Sequence, residues 1–227
     1  MKVVIAGGHG AVARLLARRL VARGHDPVGL VRNPDHVADL EAAGGAAVVV
    51  DLEGADVSEV AEALRGADAV VFAAGAGPGS SAERKDTVDH GGAVLLADAA
   101  ERAGVRSYLL LSSMGVDEVR DGAEPEGMDE MFVAYLRAKL AAEEDLLGRD
   151  GLDVVVLRPG SLSDDDATGT VRLGRPLEPG EVSRDDVAAV LAAALETSAR
   201  TSSTRGTVVE CVAGDEPVAQ AVARVLA

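Results

Sequence analysis

Tyr135 and Lys139 are the residue pair whose spacing points most directly to chemistry. They stand four positions apart in a segment, residues 129–147, whose pattern predicts a helix, so their side chains share one helical face. A tyrosine hydroxyl placed in this way can give a proton to a carbonyl oxygen as hydride reaches the carbonyl carbon, and a nearby ammonium makes it a better donor. The pair therefore predicts a proton-donating site, with chance spacing on a solvated helix face as the structural alternative.

Two neighbouring serines, Ser112 and Ser113, end a predicted strand and could hold the same carbonyl oxygen. Metal chemistry is not expected. The histidines have no partner ligands at suitable spacing, and the acidic run Asp164-Asp165-Asp166 is better explained as a solvated loop than as a cation site.

A glycine-rich turn connects the first predicted strand to the first predicted helix. Gly7 permits a tight turn, Gly10 lets the backbone approach a pyrophosphate, and Ala13 lets the helix pack close to the strand. The helix N-terminus adds free N–H groups and partial positive charge. The turn therefore predicts a dinucleotide site, although glycine turns can also serve packing alone. Its expected cofactor-binding residues are Gly7, Gly8, His9, Gly10, Ala11 and Val12.

The residues after the second and third strands bear on which dinucleotide is bound. An NAD site normally carries Asp or Glu about 20 residues beyond the glycines, but here Arg32 stands at that place, followed by Asn33. A guanidinium suits a 2′-phosphate, so NADP(H) is predicted over NAD(H). An ordinary solvated arginine is the alternative. Asp51 and Leu52 are expected to meet the adenine, although Asp51 could equally cap a turn.

The predicted elements place these motifs on an α/β framework. Apolar runs that read as strands alternate with amphipathic stretches that read as helices, and several strands are apolar on both faces, which is typical of a covered parallel sheet. We expect a Rossmann-type doubly wound parallel sheet in one domain, with a cofactor-binding core over residues 1–160 and substrate-side elements over residues 161–227. The predicted strands are residues 2–6, 27–31, 46–50, 69–74, 107–112, 152–157, 170–173 and 206–212; the predicted helices are residues 11–23, 34–42, 58–64, 85–103, 129–147, 184–196 and a closing helix; residues 161–169 are predicted as a polar loop.

Composition narrows the classes of partner. A net charge of -16 argues against nucleic acid as a partner, and an aromatic content of 2% leaves few side chains on which bases could stack.

No apolar run is long enough to span a bilayer, and the apolar stretch after Lys2 is too short for a signal peptide, so a cytoplasmic location is expected. Cys211 is the single cysteine, which excludes an intramolecular disulfide. A small-molecule substrate is the expected partner, and a homodimer is left open.

Taken together, these motifs resemble the short-chain dehydrogenase/reductase superfamily, in its atypical, NmrA-like NAD(P)H-binding branch, which includes biliverdin reductase B and related flavin reductases. The resemblance covers nearly the whole chain. Besides the glycine turn, it is carried by Ala73-Ala74-Gly75, Leu111-Ser112-Ser113, Tyr135-Leu136-Arg137-Ala138-Lys139, Leu157-Arg158-Pro159-Gly160 and Ser183-Arg184-Asp185-Asp186-Val187-Ala188.

The resemblance implies further site residues. Ala73, Ala74 and Gly75 would line the cofactor, and Pro159 and Gly160 would border the nicotinamide, although both segments could be ordinary strand-to-loop turns. In related enzymes the lysine also reaches the nicotinamide ribose, which would make Lys139 a cofactor ligand. One departure is that residues 87–92 contain no asparagine to serve the proton relay that many superfamily members possess, and His90 is the candidate substitute.

The expected function is an NADPH-dependent reductase of a small carbonyl, quinone or flavin-like acceptor, with Tyr135 as acid, Lys139 as its electrostatic support and Ser113 as oxygen binder. A non-catalytic NADP(H)-binding redox sensor is the main alternative, and a sugar-nucleotide epimerase or dehydratase is a third. The acceptor pocket is predicted between residues 75–81, 114–132 and 161–175 at the carboxyl edge of the sheet. Its expected apolar wall is Met114, Met128, Met131 and Phe132.

Overall fold

The computed structural model describes residues 1–77, 79–200 and 204–226. Strands and helices alternate along the chain, as the apolar runs predict. The strands are β1 (Lys2–Ala6), β2 (Asp26–Val31), β3 (Ala46–Val49), β4 (Ala69–Phe72), β5 (Ser107–Leu111), β6 (Asp153–Pro159), β7 (Ser161–Ser163), β8 (Thr170–Gly174), β9 (Glu181–Ser183), β10 (Thr207–Ala213) and β11 (Glu216–Pro217). The α-helices are α1 (Ala11–Ala22), α2 (Val37–Ala42), α3 (Val57–Ala63), α4 (Ala82–Lys85), α5 (Gly92–Ala103), α6 (Glu130–Leu147), α7 (Arg184–Ser198) and α8 (Val218–Leu226).

Within the described residues, one nine-stranded sheet forms the centre of the molecule, in the order β11-β8-β10-β6-β5-β4-β1-β2-β3. The strands from β3 to β10 in this order run parallel, and β8 and β11 run antiparallel at one edge. The chain order reverses between β1 and β4, and ligands of doubly wound sheets bind outside the carboxyl ends of the strands at this switch point. The Rossmann-type fold class is thus confirmed.

Both faces of the sheet are covered because the central strands are apolar on both sides. Alternate residues of β1 point to opposite faces. Val3 and Ile5 join a core that includes residues of α1, α7 and α8, whereas Val4 and Ala6 join a core on the other face with residues of α3, α5 and α6. The central strand therefore has no solvent-facing side, and its carboxyl end is held rigidly.

The prediction of one continuous helix over residues 85–103 is wrong, because the segment consists of two α-helices joined by a π-helical turn. The helical stretch begins at Ala82, because the Ser81 hydroxyl accepts a hydrogen bond from the Arg84 backbone, and a π-helical turn at Asp86–Gly91 separates α4 from α5. The wider turn places one extra residue within the series of backbone hydrogen bonds of the helix, a feature that is common at functional sites. This segment passes beside the carboxyl end of β4.

Other segments also differ from the sequence prediction, among them the short strands β9 and β11, which have no predicted element. Ser161–Ser163, predicted as loop, forms β7 and pairs in parallel with β9 in a small second sheet. Residues Val116–Gly122, which have no predicted element, form 3-10 turns. Both depend on contacts with distant segments rather than on local apolar periodicity, and so they carry no sequence pattern. None of the helices in the described ranges is long and apolar enough to cross a membrane.

Candidate functional site

A cleft of about 490 Å³ opens at the carboxyl ends of β1, β2, β3 and β4. It lies at the switch point of the sheet, where the glycine turn faces the loop after β4. The cleft brings together most of the residues predicted to bind cofactor. Those on its surface are Gly7, His9, Gly10, Arg32, Asn33, Asp51, Leu52, Ala73, Ala74 and Gly75.

The glycine turn has no room for side chains. Gly7 has a φ of +75°, and a Cβ there would lie 2.6 Å from the Ala74 Cα atom. A Cβ on Gly8 would lie 2.6 Å from the Cα atom of Gly29 in β2. Gly10 begins α1 without a side-chain cap, and the first turn contains no acidic residue. This backbone cradle fits the phosphates of a dinucleotide.

The other residues predicted near the turn and at the end of β6 do not line the cleft. Val12 is buried in the core, and Ala11 is exposed on the first turn of α1. The Pro159 carbonyl accepts a hydrogen bond from the Met114 backbone, and the Gly160 N–H donates to Cys211. A Cβ on Gly160 would lie 2.1 Å from a backbone oxygen of Gly180, so this glycine permits close packing of two chain segments.

Charged side chains line the cleft beyond the ends of β2 and β3. Arg32 donates to Glu53 at 3.0 Å, and Arg84 donates to the same carboxylate at 2.8 Å. The hydrogen bond from Arg84 holds the pKa of Glu53 below its usual range. The sequence does not indicate Glu53 or Arg84, since only the fold brings residue 84 beside residue 32. Two guanidinium groups therefore face this end of the cleft around one carboxylate.

The side chains of Asn33 and Asp51 are engaged in local turns. The side-chain amide oxygen of Asn33 accepts a hydrogen bond from the Asp35 backbone N–H at 3.0 Å, and the Asp51 carboxylate accepts one from the Glu53 backbone N–H at 3.1 Å. His9 hydrogen-bonds Asp39, at 2.8 Å, and its ring stacks on that of His36 with centroids 3.6 Å apart. For Asp51, the turn-capping role that the sequence left open is the one seen here, although the residue also borders the cleft.

Lys139 is buried at the inner end of the cleft, with an exposed fraction of 4%. Its ammonium lies 3.1 Å from an Asp89 carboxylate oxygen, 3.2 Å from the Leu111 carbonyl and 3.4 Å from the Ala74 carbonyl. The other Asp89 oxygen accepts from the Ala76 backbone at 3.0 Å. These contacts fix the lysine between the carboxyl ends of β4 and β5, next to the loop that borders the cleft.

Asp89 is a third site residue, after Glu53 and Arg84, that sequence reasoning missed. It lies in the π-helical turn, inside the segment that contains no asparagine, and its carboxylate makes a polar contact to Lys139. His90, the suggested substitute, instead bonds Asp86 at 3.1 Å and is partly exposed. In the sequence, this contact was signalled by nothing more than the presence of an acidic residue in that segment.

Tyr135 is half-buried on α6, beside two lysines. The Lys139 and Lys85 ammonium nitrogens each lie 5.8 Å from the centroid of its ring. The Phe132 ring stacks against it with centroids 5.8 Å apart, and Phe132 is 45% exposed. The structure thus brings the predicted pair together, with the exposed Phe132 ring alongside.

The two predicted serines have different surroundings. Ser112 is buried, and its hydroxyl donates to the Glu143 carboxylate inside the core. Because this hydroxyl is buried in the core, it cannot reach a substrate oxygen, so the expectation for Ser112 is corrected. Ser113 is half-buried, and its hydroxyl donates to the Met114 carbonyl at 2.9 Å. Ser113 remains the serine that can reach a ligand.

A buried ion-pair network holds the wall beside these serines. Arg158, 1% exposed, donates to Glu143 at 3.0 Å and to Asp117 at 2.7 Å. Arg175 also donates to Asp117, at 2.8 Å. Burial alone would raise the pKa of Asp117, but hydrogen bonds from Arg158, Arg120 and Arg175 outweigh it and hold that pKa well below its usual range. The network ties the 3-10 segment to β6 and to the chain after β8.

The predicted apolar wall divides into two parts. Met128 packs on a small core formed by Val116, Val119, Leu136 and Leu140, and Met114 is half-buried. Met131 and Phe132 are exposed at the start of α6. Pro78, within the predicted pocket segment 75–81, lies outside the described residues.

Comparisons with known proteins agree with this geometry. A family model described as NAD(P)H-binding matches residues 7–198. The chain is similar to YhfK, described as an uncharacterized sugar epimerase of Bacillus subtilis (strain 168), at 33% identity over 223 residues, which span 98% of this chain and 99% of YhfK.

Solved structures share the fold over nearly the full length. A protein from Bacillus halodurans described as an NAD-dependent epimerase/dehydratase has a TM-score of 0.86 at 33% identity, covering 99% of both chains. ChuY, described as an anaerobillin reductase from Escherichia coli O157:H7, has a TM-score of 0.76 at 26% identity, covering 95% of this chain and 98% of ChuY. The chain therefore belongs to the NAD(P)H-binding family and has an oxidoreductase-like fold, which agrees with the resemblance of its motifs to the atypical, NmrA-like branch of the short-chain dehydrogenase/reductase superfamily.

Proposed function

We propose that this protein is an NADPH-dependent reductase of a small carbonyl, quinone or flavin-like acceptor. The observation that carries the proposal is the placement of Lys139. Its ammonium is buried against the Ala74 carbonyl at the edge of the dinucleotide cleft, and the helix that holds it presents Tyr135 on the same side. This arrangement supports a proton donor and its supporting cation beside the cleft that is proposed to hold the dinucleotide.

A bound nicotinamide supplies the hydride, and the chain's own residues supply position and the proton. The cradle at Gly7 to Gly10 holds the phosphates. Tyr135 gives its hydroxyl proton to the acceptor oxygen, and the Ser113 hydroxyl hydrogen-bonds that oxygen. Lys139, kept in place by Asp89 and two carbonyl groups, stabilises the negative charge left on Tyr135.

The proposed preference for NADPH over NADH rests on the arginine side chains near the carboxyl end of β2. Arg32 and Arg84 converge on Glu53 at the cleft surface, so two guanidinium groups surround one carboxylate. The Arg14 Nε atom is buried near the start of α1 and has no hydrogen-bond partner within the described part of the chain. These donors favour a cofactor that brings an additional phosphate.

A second candidate is an epimerase that uses the same Tyr135 and Lys139, which is favoured by the description of YhfK and of the Bacillus halodurans protein as epimerases. An epimerase oxidises and then re-reduces its substrate, and so it consumes no net NADPH. A redox sensor would bind NADP(H) without turnover. Measuring NADPH oxidation therefore separates the reductase from both.

The test is NADPH oxidation against a panel of quinones, aldehydes, ketones and flavins. Tyr135→Phe should lower turnover by roughly 10² to 10⁴ with cofactor binding retained, because it removes one hydroxyl from a positioned acid. Tyr108→Phe is the matched control. The Tyr108 hydroxyl is buried and donates to the Ala93 carbonyl at 3.0 Å, so its loss should affect stability and leave turnover unchanged. Unchanged turnover in Tyr135→Phe, or no turnover by the wild type with any acceptor, would refute the proposal.

A further inference from the structure

Lys85 is a buried cation that the proposed mechanism does not use. It ends α4 and has an exposed fraction of 8%. Its ammonium lies 5.8 Å from the Tyr135 ring centroid, 3.2 Å from the Ser80 hydroxyl and 3.5 Å from the Gly77 carbonyl. Its neighbours along the helical stretch, Arg84 and Val88, line the dinucleotide cleft, whereas the Lys85 side chain is directed to Tyr135.

Among the residues that the structure describes, Lys85 has no acidic partner for its charge. The other buried cations in the described ranges are Lys139 and Arg158, and each lies within salt-bridge distance of a buried carboxylate. No carboxylate of a described residue forms a salt bridge with Lys85, and the residues outside the described ranges are Pro, Thr, Ser and Ala, which have no acidic side chain. This is unusual in a chain with 38 acidic residues against 22 basic ones.

The contacts that Lys85 does make are with neutral groups. Two oxygens and the face of one aromatic ring offset only part of the cost of burying an ammonium, because cation–π and neutral hydrogen bonds are weaker than an ion pair in a desolvated site. An uncompensated buried cation beside a candidate catalytic tyrosine is a site that an anionic ligand would complete.

We propose that Lys85 binds a carboxylate of the acceptor, so that the substrates of this protein are acids with an apolar body. The proposal rests on the proposed function, because it places the acceptor beside Tyr135. The exposed Phe132 ring, stacked on Tyr135, offers the surface on which the apolar body lies. The glycine turn, where the cofactor phosphates are proposed to bind, lines the cleft and Lys85 does not, so the missing anion is expected from the acceptor rather than from those phosphates.

Binding to the cofactor complex tests this without relying on turnover. Benzoate and benzamide have the same ring and differ in charge, and each is titrated by calorimetry into protein saturated with NADP⁺. The wild type should bind benzoate at least about tenfold more tightly than benzamide, the effect of one charge-assisted hydrogen bond. Lys85→Met and Lys85→Gln should abolish the preference, and Lys85→Arg should retain part of it.

The matched control is Lys2→Met, the same change at a lysine that bonds the Arg65 carbonyl at the amino end of β1. It should keep the preference for benzoate. Thermal denaturation and NADP⁺ affinity show whether each variant is folded. Benzoate that binds the wild type no more tightly than benzamide, or a preference that persists in both neutral variants, would overturn the proposal. Absence of turnover with every acceptor would refute the reductase instead, and the binding result would still decide the role of Lys85.

Discussion

Arg32→Ala should weaken NADPH binding and leave NADH binding nearly unchanged. The guanidinium stands at the surface of the cleft beyond β2, where it already donates to Glu53 at 3.0 Å, and its side chain is 57% exposed. A 2′-phosphate would share this donor, whereas the 2′-hydroxyl of NADH offers no charge to it. The change therefore acts on one cofactor and not on the other.

The expected loss of NADPH affinity follows from the exposure of the Arg32 side chain and from the competition of Glu53 for its guanidinium group. A hydrogen bond to a charged group contributes about 1.5 to 3 kcal/mol, but an exposed arginine that is already shared with a carboxylate contributes at the lower end. About 1.5 kcal/mol corresponds to roughly a tenfold increase in the Kd of NADPH. Glu53→Gln should have the opposite effect, strengthening NADPH binding severalfold, because it removes the carboxylate that competes for Arg32 and Arg84.

Fluorescence or calorimetric titration with both cofactors measures these changes. Arg65→Ala is the matched control, since Arg65 also pairs with a glutamate, Glu62, on an exposed helix end and does not line the cleft. It should alter neither affinity. Equal losses for NADPH and NADH in Arg32→Ala, or no loss for either, would refute the assignment of Arg32 to the 2′-phosphate.

Three other predictions concern the folded state. Arg158→Met should destabilise the protein by about 3 to 5 kcal/mol in urea denaturation, because it leaves the Glu143 carboxylate buried without its cation. Burial alone would raise the pKa of Asp186, but backbone N–H groups of the loop before β8 outweigh it and lower that pKa. The stabilisation from Asp186 is therefore complete above the unfolded value of about 3.9 and is lost as pH falls through the folded value, so the difference in Tm between wild type and Asp186→Asn should shrink in acid. Burial raises the pKa of Cys211 to about 12, so this thiol should resist a disulfide reagent at pH 8 until urea unfolds the chain.

Each of these has an outcome that contradicts it. A loss below about 1 kcal/mol in Arg158→Met would show that the network is solvated rather than buried. A Tm difference for Asp186→Asn that is constant with pH would remove the role of its charge. Reaction of Cys211 in the native protein at the rate of a free thiol would contradict its burial.

The central fold was predictable because β1, β2, β4, β5 and β6 are apolar on both faces, and a helical segment follows each of the first four of these strands. Such strands are specified by their own residues. The short strands β7 and β9 were missed because three residues on their own do not distinguish a strand from a loop. They are strands only because the fold pairs them with each other.

The residues of the candidate site likewise divide into those that the sequence indicates and those that only the fold brings together. The glycine turn could be located from the sequence, since only glycine fits its backbone, as Gly7 and Gly8 show. Ser112 and Ser113 could not be distinguished, because neighbouring residues of an extended chain point to opposite sides and the sequence does not say which side is the core. Asp89 meets Lys139 across 50 positions of the chain, and no local pattern encodes that contact.

The π-helical turn at Asp86–Gly91 has a consequence for how the protein can diversify. Arg84 and Val88 line the dinucleotide cleft, while Lys85 and Asp89 contact Tyr135 and Lys139. A substitution at position 85 can therefore alter the acceptor side without touching the cofactor side, and the converse holds at 84 and 88, whereas Asp89 also holds Ala76 at the edge of the cleft. Loss or gain of one residue here would rotate both sets by about 100° and exchange their surroundings. Among relatives with new substrates, we expect the length of this segment to vary less than its composition.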